Sequence, residues 1–165
     1  MKIMVVSDTH GNYLAPLTCL DENSGVDLIV HLGDEISDGR MLSSLTRIPV
    51  ILVPGNCDPE AREPRELCGV FDGQKIFMTH GDIYRVKNGL NALIRKAASE
   101  NASVILFGHT HIPLVQQEEG RLLVNPGTLM AGCRNKSYAL LTVTKKSVTA
   151  EIIPVPEGQQ PQPQL

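Results

Sequence analysis

The sequence has no excess of positive charge. Its 15 lysine and arginine residues are outnumbered by 18 aspartate and glutamate residues, which gives a formal net charge of −3 and a pI near 5.9. Proteins that bind nucleic acids or membrane surfaces usually carry a basic patch, which this balance does not supply. We therefore expect no dedicated nucleic-acid or membrane surface, and an anionic substrate has to be attracted locally.

Long apolar runs and paired cysteine motifs are also missing. The N-terminal run Ile3–Val6 has four residues, far fewer than a signal-peptide core or a membrane span needs. We therefore expect a cytoplasmic protein without a membrane segment. The four cysteines show no C-x-x-C spacing, and in a reducing compartment we expect free thiols rather than disulfides.

The remaining composition is typical of one globular domain. The 165 residues are 42% hydrophobic and 20% charged, which is enough for a single core. We assign residues 1–153 to this domain and residues 154–165, which are rich in proline and glutamine, to a flexible tail. The composition leaves homo-oligomer formation open.

Strand and helix patterns alternate along most of the chain, which predicts an α/β fold. Apolar runs predict strands over 2–7, 28–32, 49–53 and 104–107, and short strands around 119–120, near 138–143 and over 147–153. Periodic leucines predict a helix after Asn12, which could cap it, and further helices are expected over 38–46 and 88–100. Residues 59–66 are expected to form a loop, and Asp72-Gly73 predicts a hairpin turn between two strands.

Potential metal ligands follow five of the apolar runs, each at a glycine-containing junction. Because the carboxyl ends of parallel strands meet at one edge of a sheet, we expect these side chains to lie close together. His109 and His111 would also point to the same side of an extended backbone. The seven candidate ligands are Asp8, His10, Asp34, Asn56, His80, His109 and His111.

Two carboxylates, four imidazoles and one amide are sufficient for two metal ions if one carboxylate is shared, and Asp34 is the candidate for that role. A mixture of nitrogen and oxygen ligands suits Mn, Fe, Zn, Co or Ni better than Ca or Mg. Two such ions can share a hydroxide and stabilise an in-line phosphoryl displacement. Two dications, two aspartates and one hydroxide leave a charge near +1, roughly what a phosphodiester monoanion requires.

The same residues resemble the signature blocks of the calcineurin-like metallophosphoesterases over residues 3 to about 143. The small size and the Gly-Asn-Cys-Asp form look most like the compact prokaryotic YfcE-like phosphodiesterases. The blocks are Asp8-x-His10, Gly33-Asp34, Gly55-Asn56-x-Asp58, His80-Gly81 and Gly108-His109-x-His111, with Asn125-Pro126-Gly127-Thr128 after them. The resemblance implies a four-layer α/β/β/α sandwich and a dinuclear metal site, with manganese as the first candidate. It further implies one metal held by Asp8, His10, Asp34 and His111, and a second held by Asp34, Asn56, His80 and His109.

The resemblance has one departure, at Cys57, where many members of the superfamily have a histidine that protonates the leaving group or holds the phosphate. A thiol is a poor substitute for an imidazolium acid, so we expect slow turnover on substrates with poor leaving groups. Cys57 and Arg134 are candidate substrate contacts, although a solvated surface role suits the arginine better. Asp34, Asn56 and Asp58 are the candidate catalytic residues, and Asp58 is expected to orient a ligand histidine. His31 is expected to pack or to form a hydrogen bond within its strand.

The predicted function is metal-dependent hydrolysis of a small phosphodiester. Two alternatives stay open. One is a phosphomonoesterase or nucleotidase that uses the same site, and the other is a protein-interaction scaffold, as in the similar retromer subunit of this fold. The seven filled ligand positions favour an enzyme, because a scaffold has no need of them.

Overall fold

The fold consists of two five-stranded sheets with helices on their outer faces. It is described by a computed structural model that covers residues 1–156. In chain order its elements are β1 (Lys2–Val6), α1 (Leu14–Asp21), β2 (Leu28–His31), α2 (Ile36–Leu45), β3 (Val50–Leu52), β4 (Glu66–Phe71), β5 (Gln74–Thr79), α3 (Asn91–Ser99), β6 (Val104–Leu106), β7 (Leu114–Glu118), β8 (Arg121–Asn125), β9 (Ser137–Val143) and β10 (Val148–Pro154). Short 3₁₀ turns occupy Asp82–Tyr84 and Val86–Asn88.

The two sheets have related topologies. In sheet 1 the order is β10-β9-β1-β2-β3, with β1, β2 and β3 parallel and β9 antiparallel to β1. In sheet 2 the order is β4-β5-β6-β8-β7, with β5, β6 and β8 parallel and both edge strands antiparallel to their neighbours. The carboxyl ends of the parallel strands therefore lie along one edge of each sheet.

Three apolar clusters show how the layers pack. Alternate residues of both sheets, such as Val5, Val30, Met78 and Leu106, form the core between the sheets. The outer face of sheet 1 packs on α1 and α2, with Met4, Ile29, Cys19 and Leu42 in one cluster, whereas the outer face of sheet 2 packs on α3 through Phe77, Ile105, Leu93 and Ile94. This arrangement confirms the predicted four-layer α/β/β/α sandwich.

Most predicted elements are present, with shifted ends. Helix α2 begins two residues earlier than expected, and α3 is shorter because the 3₁₀ turns precede it. The turn at Asp72 and Gly73 is confirmed, with both residues at positive φ. The prediction that Asn12 caps α1 was wrong: its side-chain amide donates to the carbonyl of Leu129, 2.7 Å away, and so ties the helix entry to a distant loop.

The C-terminal hairpin extends slightly beyond the predicted domain boundary. Pro154, the expected start of the tail, is the last residue of β10 and pairs with Ser137. The amide of Val155 donates to the carbonyl of Lys136. Residues 157–165 of the predicted tail lie outside the described part of the chain. Within residues 1–156, no helix combines the length and apolarity needed to cross a membrane.

Candidate metal centre

The candidate ligands lie in the loops that leave the parallel strands of both sheets. Five of them have left-handed backbone, with φ between 46° and 67°: Asp8, His10, Asp34, His109 and His111. This conformation costs an L-residue about 1–2 kcal/mol, and such strain is typical of functional sites held by the surrounding structure. Hydrogen bonds between loops hold it here, because the amide of Asp8 donates to the carbonyl of Gly33 and the amide of His10 to that of Asp34.

Six of the seven predicted ligands converge into two groups. Asp8, His10 and His111 form one, and Asp34, His80 and His109 form the other, each with potential ligand atoms within 4.8 Å of one another. The expectation that His109 and His111 share one side of an extended strand was wrong, because both lie in left-handed turns. The turns direct the two imidazoles into different groups.

Asp8 supplies an electrostatic reason for a cation in the first group. Its Oδ2 accepts hydrogen bonds from the Ser7 hydroxyl and the His109 amide. Its Oδ1 is buried without a hydrogen-bond partner among the described residues, although Nε2 of His111 lies 3.0 Å away and Nε2 of His80 lies 4.0 Å away. A buried carboxylate oxygen left in this state is costly unless a cation or ordered donor satisfies it, so the residues fit a metal ion.

Asp34 lies between the two groups. Its Oδ1 accepts the amide of Cys57 at 2.8 Å, while Oδ2 lies 3.4 Å from Nε2 of His80 and 4.0 Å from Nε2 of His10. Burial opposes ionisation of this carboxyl, but the hydrogen bonds with His80 and Cys57 and the charge of His80 lower its pKa well below the usual range. A carboxylate that stays ionised and faces both groups has the position a shared ligand needs.

One ring nitrogen of His80 forms a hydrogen bond with the main chain. Its Nδ1 lies 2.6 Å from the carbonyl of Leu32 and must donate to it, because a carbonyl only accepts. Its Nε2 therefore faces the centre, 3.1 Å from Nδ1 of His109. Burial alone would lower the pKa of His80, but the hydrogen bond with Asp34 and the charge of Asp8 outweigh that effect and raise it.

Asn56 and Cys57 are both exposed in the loop after β3. The amide of the Asn56 side chain lies 3.4 Å from Sγ of Cys57, and the main-chain amide of Cys57 donates to Oδ1 of Asp34. Partial desolvation, followed by a hydrogen bond with Asp34 and the charge of that carboxylate, raises the pKa of the Cys57 thiol to about 11. The thiol is therefore protonated at neutral pH and is a very weak acid.

Asp58 was expected to orient a ligand histidine, and this prediction was wrong. Its buried carboxylate accepts three main-chain amides instead: those of Asp34 at 2.9 Å, Gly55 at 2.7 Å and Ile36 at 2.7 Å. The loops after β2 and β3 approach so closely that a Cβ on Gly55 would lie 2.2 Å from Oδ1 of Asp34. Asp58 thus fixes the backbone of the candidate shared ligand.

The sequence pattern did not indicate the role of His31. Its Nδ1 accepts the amide of Gly33, so Nε2 carries the proton and donates to the hydroxyl of Thr9, 3.1 Å away. Asp38 continues the network, because it accepts the amide of Gly11 and a hydrogen bond from Thr9. Burial lowers the pKa of His31 to about 4. The neutral ring and its hydrogen-bond partners brace the Asp8–His10 turn. In the sequence, this network is indicated only by polar residues that stand beside the candidate ligands.

Residues 125–128 act as the expected structural turn near the centre. The Asn125 side chain donates to the carbonyl of Gly108 and to the Thr110 hydroxyl, and Thr128 donates to the carbonyl of Asp8. Arg134 is exposed in the β8–β9 loop and, within residues 1–156, makes no salt bridge. Its contact with a substrate stays a prediction.

Comparisons with known proteins agree with this geometry. Residues 1–146 match the family model of the calcineurin-like phosphoesterase superfamily domain. The chain is 32% identical over 152 residues to the probable metallophosphoesterase YsnB of Bacillus subtilis, covering 90% of this chain and 88% of the relative. It is 29% identical over 177 residues to the phosphodiesterase YfcE of Escherichia coli, covering 91% and 92%.

The structure of Vps29 from Chaetomium thermophilum superposes with a TM-score of 0.79 over 96% of this chain and 90% of the other, at 18% identity, which shows a shared fold. The family model spans most of the chain and includes all seven candidate ligands. This protein therefore belongs to the calcineurin-like phosphoesterase superfamily and is a metal-dependent phosphoesterase.

Proposed function

We propose that this enzyme hydrolyses phosphodiesters at a centre for two divalent metal ions. The observation that carries the proposal is the position of Asp34, whose Oδ2 faces a histidine of each ligand group. One ion would be held by Asp8, His10, Asp34 and His111, and the other by Asp34, Asn56, His80 and His109.

The donor set fits divalent transition metals. Imidazole nitrogens and carboxylate oxygens together suit Mn, with Ni, Zn, Fe or Co as alternatives. When bound, such ions lower the pKa of water and neutralise charge on a phosphoryl group. Two dications against the two aspartates leave positive charge in the centre, which complements a phosphodiester monoanion.

The protein's own residues keep this centre in a fixed geometry. The Ser7 hydroxyl and the His109 amide hold Oδ2 of Asp8, so that Oδ1 is directed to the centre. The Leu32 carbonyl fixes the proton of His80 on Nδ1, which leaves the Nε2 lone pair available. Mutation of groups that hold metal ligands in this way typically lowers metal affinity or activity by about 10–100-fold.

The residue at position 57 is poorly suited to donate a proton to the leaving group. Cys57 is the residue next to Asn56, and a thiol is a weaker acid than the imidazolium that many members of the superfamily have there. General acid catalysis typically contributes about 10²–10⁴ in rate. The proposed substrates are therefore small diesters whose leaving group needs little protonation. The cytoplasmic location remains a prediction from the sequence.

The similarity to Vps29 raises the alternative of a protein-interaction scaffold. That similarity, at 18% identity, shows the fold alone, whereas the two relatives that are 32% and 29% identical are named as a probable metallophosphoesterase and a phosphodiesterase. We therefore favour the enzyme.

The decisive experiment measures hydrolysis of bis(p-nitrophenyl) phosphate and p-nitrophenyl phosphate by metal-stripped protein, with Mn²⁺, Ni²⁺, Zn²⁺ or Mg²⁺ restored. We expect metal-restored diester cleavage that exceeds monoester cleavage, and its loss in Asp34→Asn. The exposed Asp72→Asn is the matched control and should behave as wild type. A preference for the monoester would favour the phosphomonoesterase alternative. If two ions bind per chain and no metal restores turnover, the proposed hydrolytic function is refuted.

A further inference from the structure

An apolar pocket of about 350 Å³ lies beside the candidate metal centre and takes no part in metal ligation. Its wall is formed by the two loops that carry the histidines of sheet 2. The pocket is lined by Val86, Lys87, Leu90, Phe107, Thr110, Ile112 and Leu114. Its volume is in the range of small-molecule sites, which are mostly apolar with a few polar groups.

Two walls of the pocket belong to the loops that carry the candidate ligands of sheet 2. Gly81 directly follows His80, and a Cβ at Gly81 would lie 2.9 Å from a methyl of Val86 and 3.7 Å from Cβ of Phe107. The amide of Gly108 donates to the carbonyl of His80 at 2.9 Å, which joins the two loops. The pocket and these candidate ligands are therefore built from the same two loops.

The outer wall is an exposed isoleucine held in place by its own loop. Ile112 is 67% exposed, and its amide donates to the Thr110 hydroxyl, which also accepts a hydrogen bond from Asn125. Thr110 separates His109 from His111, so the loop that places both ligands also fixes Ile112. An exposed apolar side chain on a backbone held by these hydrogen bonds suits contact with a group bound in the pocket.

Among the described residues that line the pocket, Lys87 is the charged one, in the turn Val86–Asn88 after β5. Within residues 1–156, Lys87 makes no salt bridge. A cation in the wall of the pocket complements an anionic phosphate bound beside it.

We propose that this pocket binds one uncharged, apolar arm of the phosphodiester substrate, with an aromatic ring preferred over a methyl group. The inference deepens the proposed function, on which it rests, by naming the substrate class. Burying a side chain the size of phenylalanine contributes roughly 10–100-fold in affinity, and a partly open pocket should reach the lower end of that range.

Two substrates with the same p-nitrophenyl leaving group, one with a phenyl and one with a methyl second arm, test the proposal. We expect the wild type to prefer the phenyl ester by about tenfold in kcat/KM, and Ile112→Ala to remove most of this preference. The matched control is Ile83→Ala, because Ile83 is 46% exposed in the loop after β5 but does not line the pocket. An unchanged preference in Ile112→Ala would overturn the proposal.

A binding measurement separates this proposal from the proposed function. Methyl resonances of Val86, Leu90, Ile112 and Leu114 should shift with diphenyl phosphate and not with dimethyl phosphate. Shifts without turnover of any diester would overturn the proposed function and leave the pocket assignment standing. Turnover without phenyl preference or methyl shifts would overturn the pocket alone. Methyl signals that respond only to protein concentration would instead assign the pocket to a second copy of this chain.

Discussion

Replacing Asp58 with asparagine tests how the protein fixes the candidate shared ligand. The Asp58 carboxylate accepts the amides of Asp34 and Gly55 on one oxygen and that of Ile36 on the other. Asparagine has nearly the same shape but only one accepting oxygen. If that oxygen keeps the two amides, the new NH₂ group faces the Ile36 amide, and two donors oppose each other.

The expected cost follows from these three bonds. Hydrogen bonds to a charged group contribute about 1.5–3 kcal/mol each and neutral ones about 0.5–1.5 kcal/mol. Losing one bond and weakening two, at a residue only 8% exposed, should lower the free energy of unfolding by about 2–5 kcal/mol. Metal affinity should fall by about 10–100-fold, because the Asp34 backbone loses its support.

Urea denaturation of the metal-free protein and titration calorimetry with Mn²⁺ measure the two effects. The control is Asp72→Asn, whose carboxylate is 43% exposed and pairs only with the N-terminal ammonium group. Both quantities should match wild type in that variant. If Asp58→Asn also left the urea midpoint and the Mn²⁺ affinity unchanged, the positioning role of Asp58 would be refuted.

Two further predictions concern proton transfer and stability. The pKa of His31 is about 4 in the folded protein. In the unfolded chain its imidazole is protonated near pH 6.5, whereas in the folded protein it stays neutral until about pH 4. The free energy of unfolding should therefore fall by about 3 kcal/mol as the pH drops from 6.5 to 4. Urea titrations at several pH values should show a shallower dependence in His31→Asn, and an equal slope would contradict this assignment. Cys57→His should speed hydrolysis of a diester with a poor leaving group by at least about tenfold, relative to a p-nitrophenyl ester. If Cys57→His changed the hydrolysis rates of both esters equally in stopped-time assays, the explanation that position 57 lacks a general acid would be excluded.

The positions of the candidate ligands could be predicted because they depend on a regular feature of the fold. Asp8, Asp34 and His80 each follow a parallel strand, and parallel strands bring such positions to one edge whatever the loops do. The Asp72-Gly73 turn could also be predicted, because the backbone of such a turn requires residues that tolerate positive φ.

The partners of individual polar groups could not be predicted. Asp58 bonds to main-chain amides, which every residue carries and which leave no mark in the sequence. Asn12 had a plausible local partner in its own helix, but the distant Leu129 carbonyl is the one it contacts. The exposure of Ile112 likewise depends on the path of a loop that no periodicity describes.

The order of strands along the chain has a consequence for synthesis on the ribosome. Sheet 2 is built from one continuous stretch, Glu66–Asn125, whereas sheet 1 combines β1–β3 with β9 and β10 from the far end of the chain. The central strand β1 thus lacks its neighbour β9 until residues 137–143 have been synthesised. The strands that precede the three histidines of sheet 2 all lie within one stretch, whereas sheet 1, which carries Asp8 and Asp34, is complete only after β9 and β10 have been added.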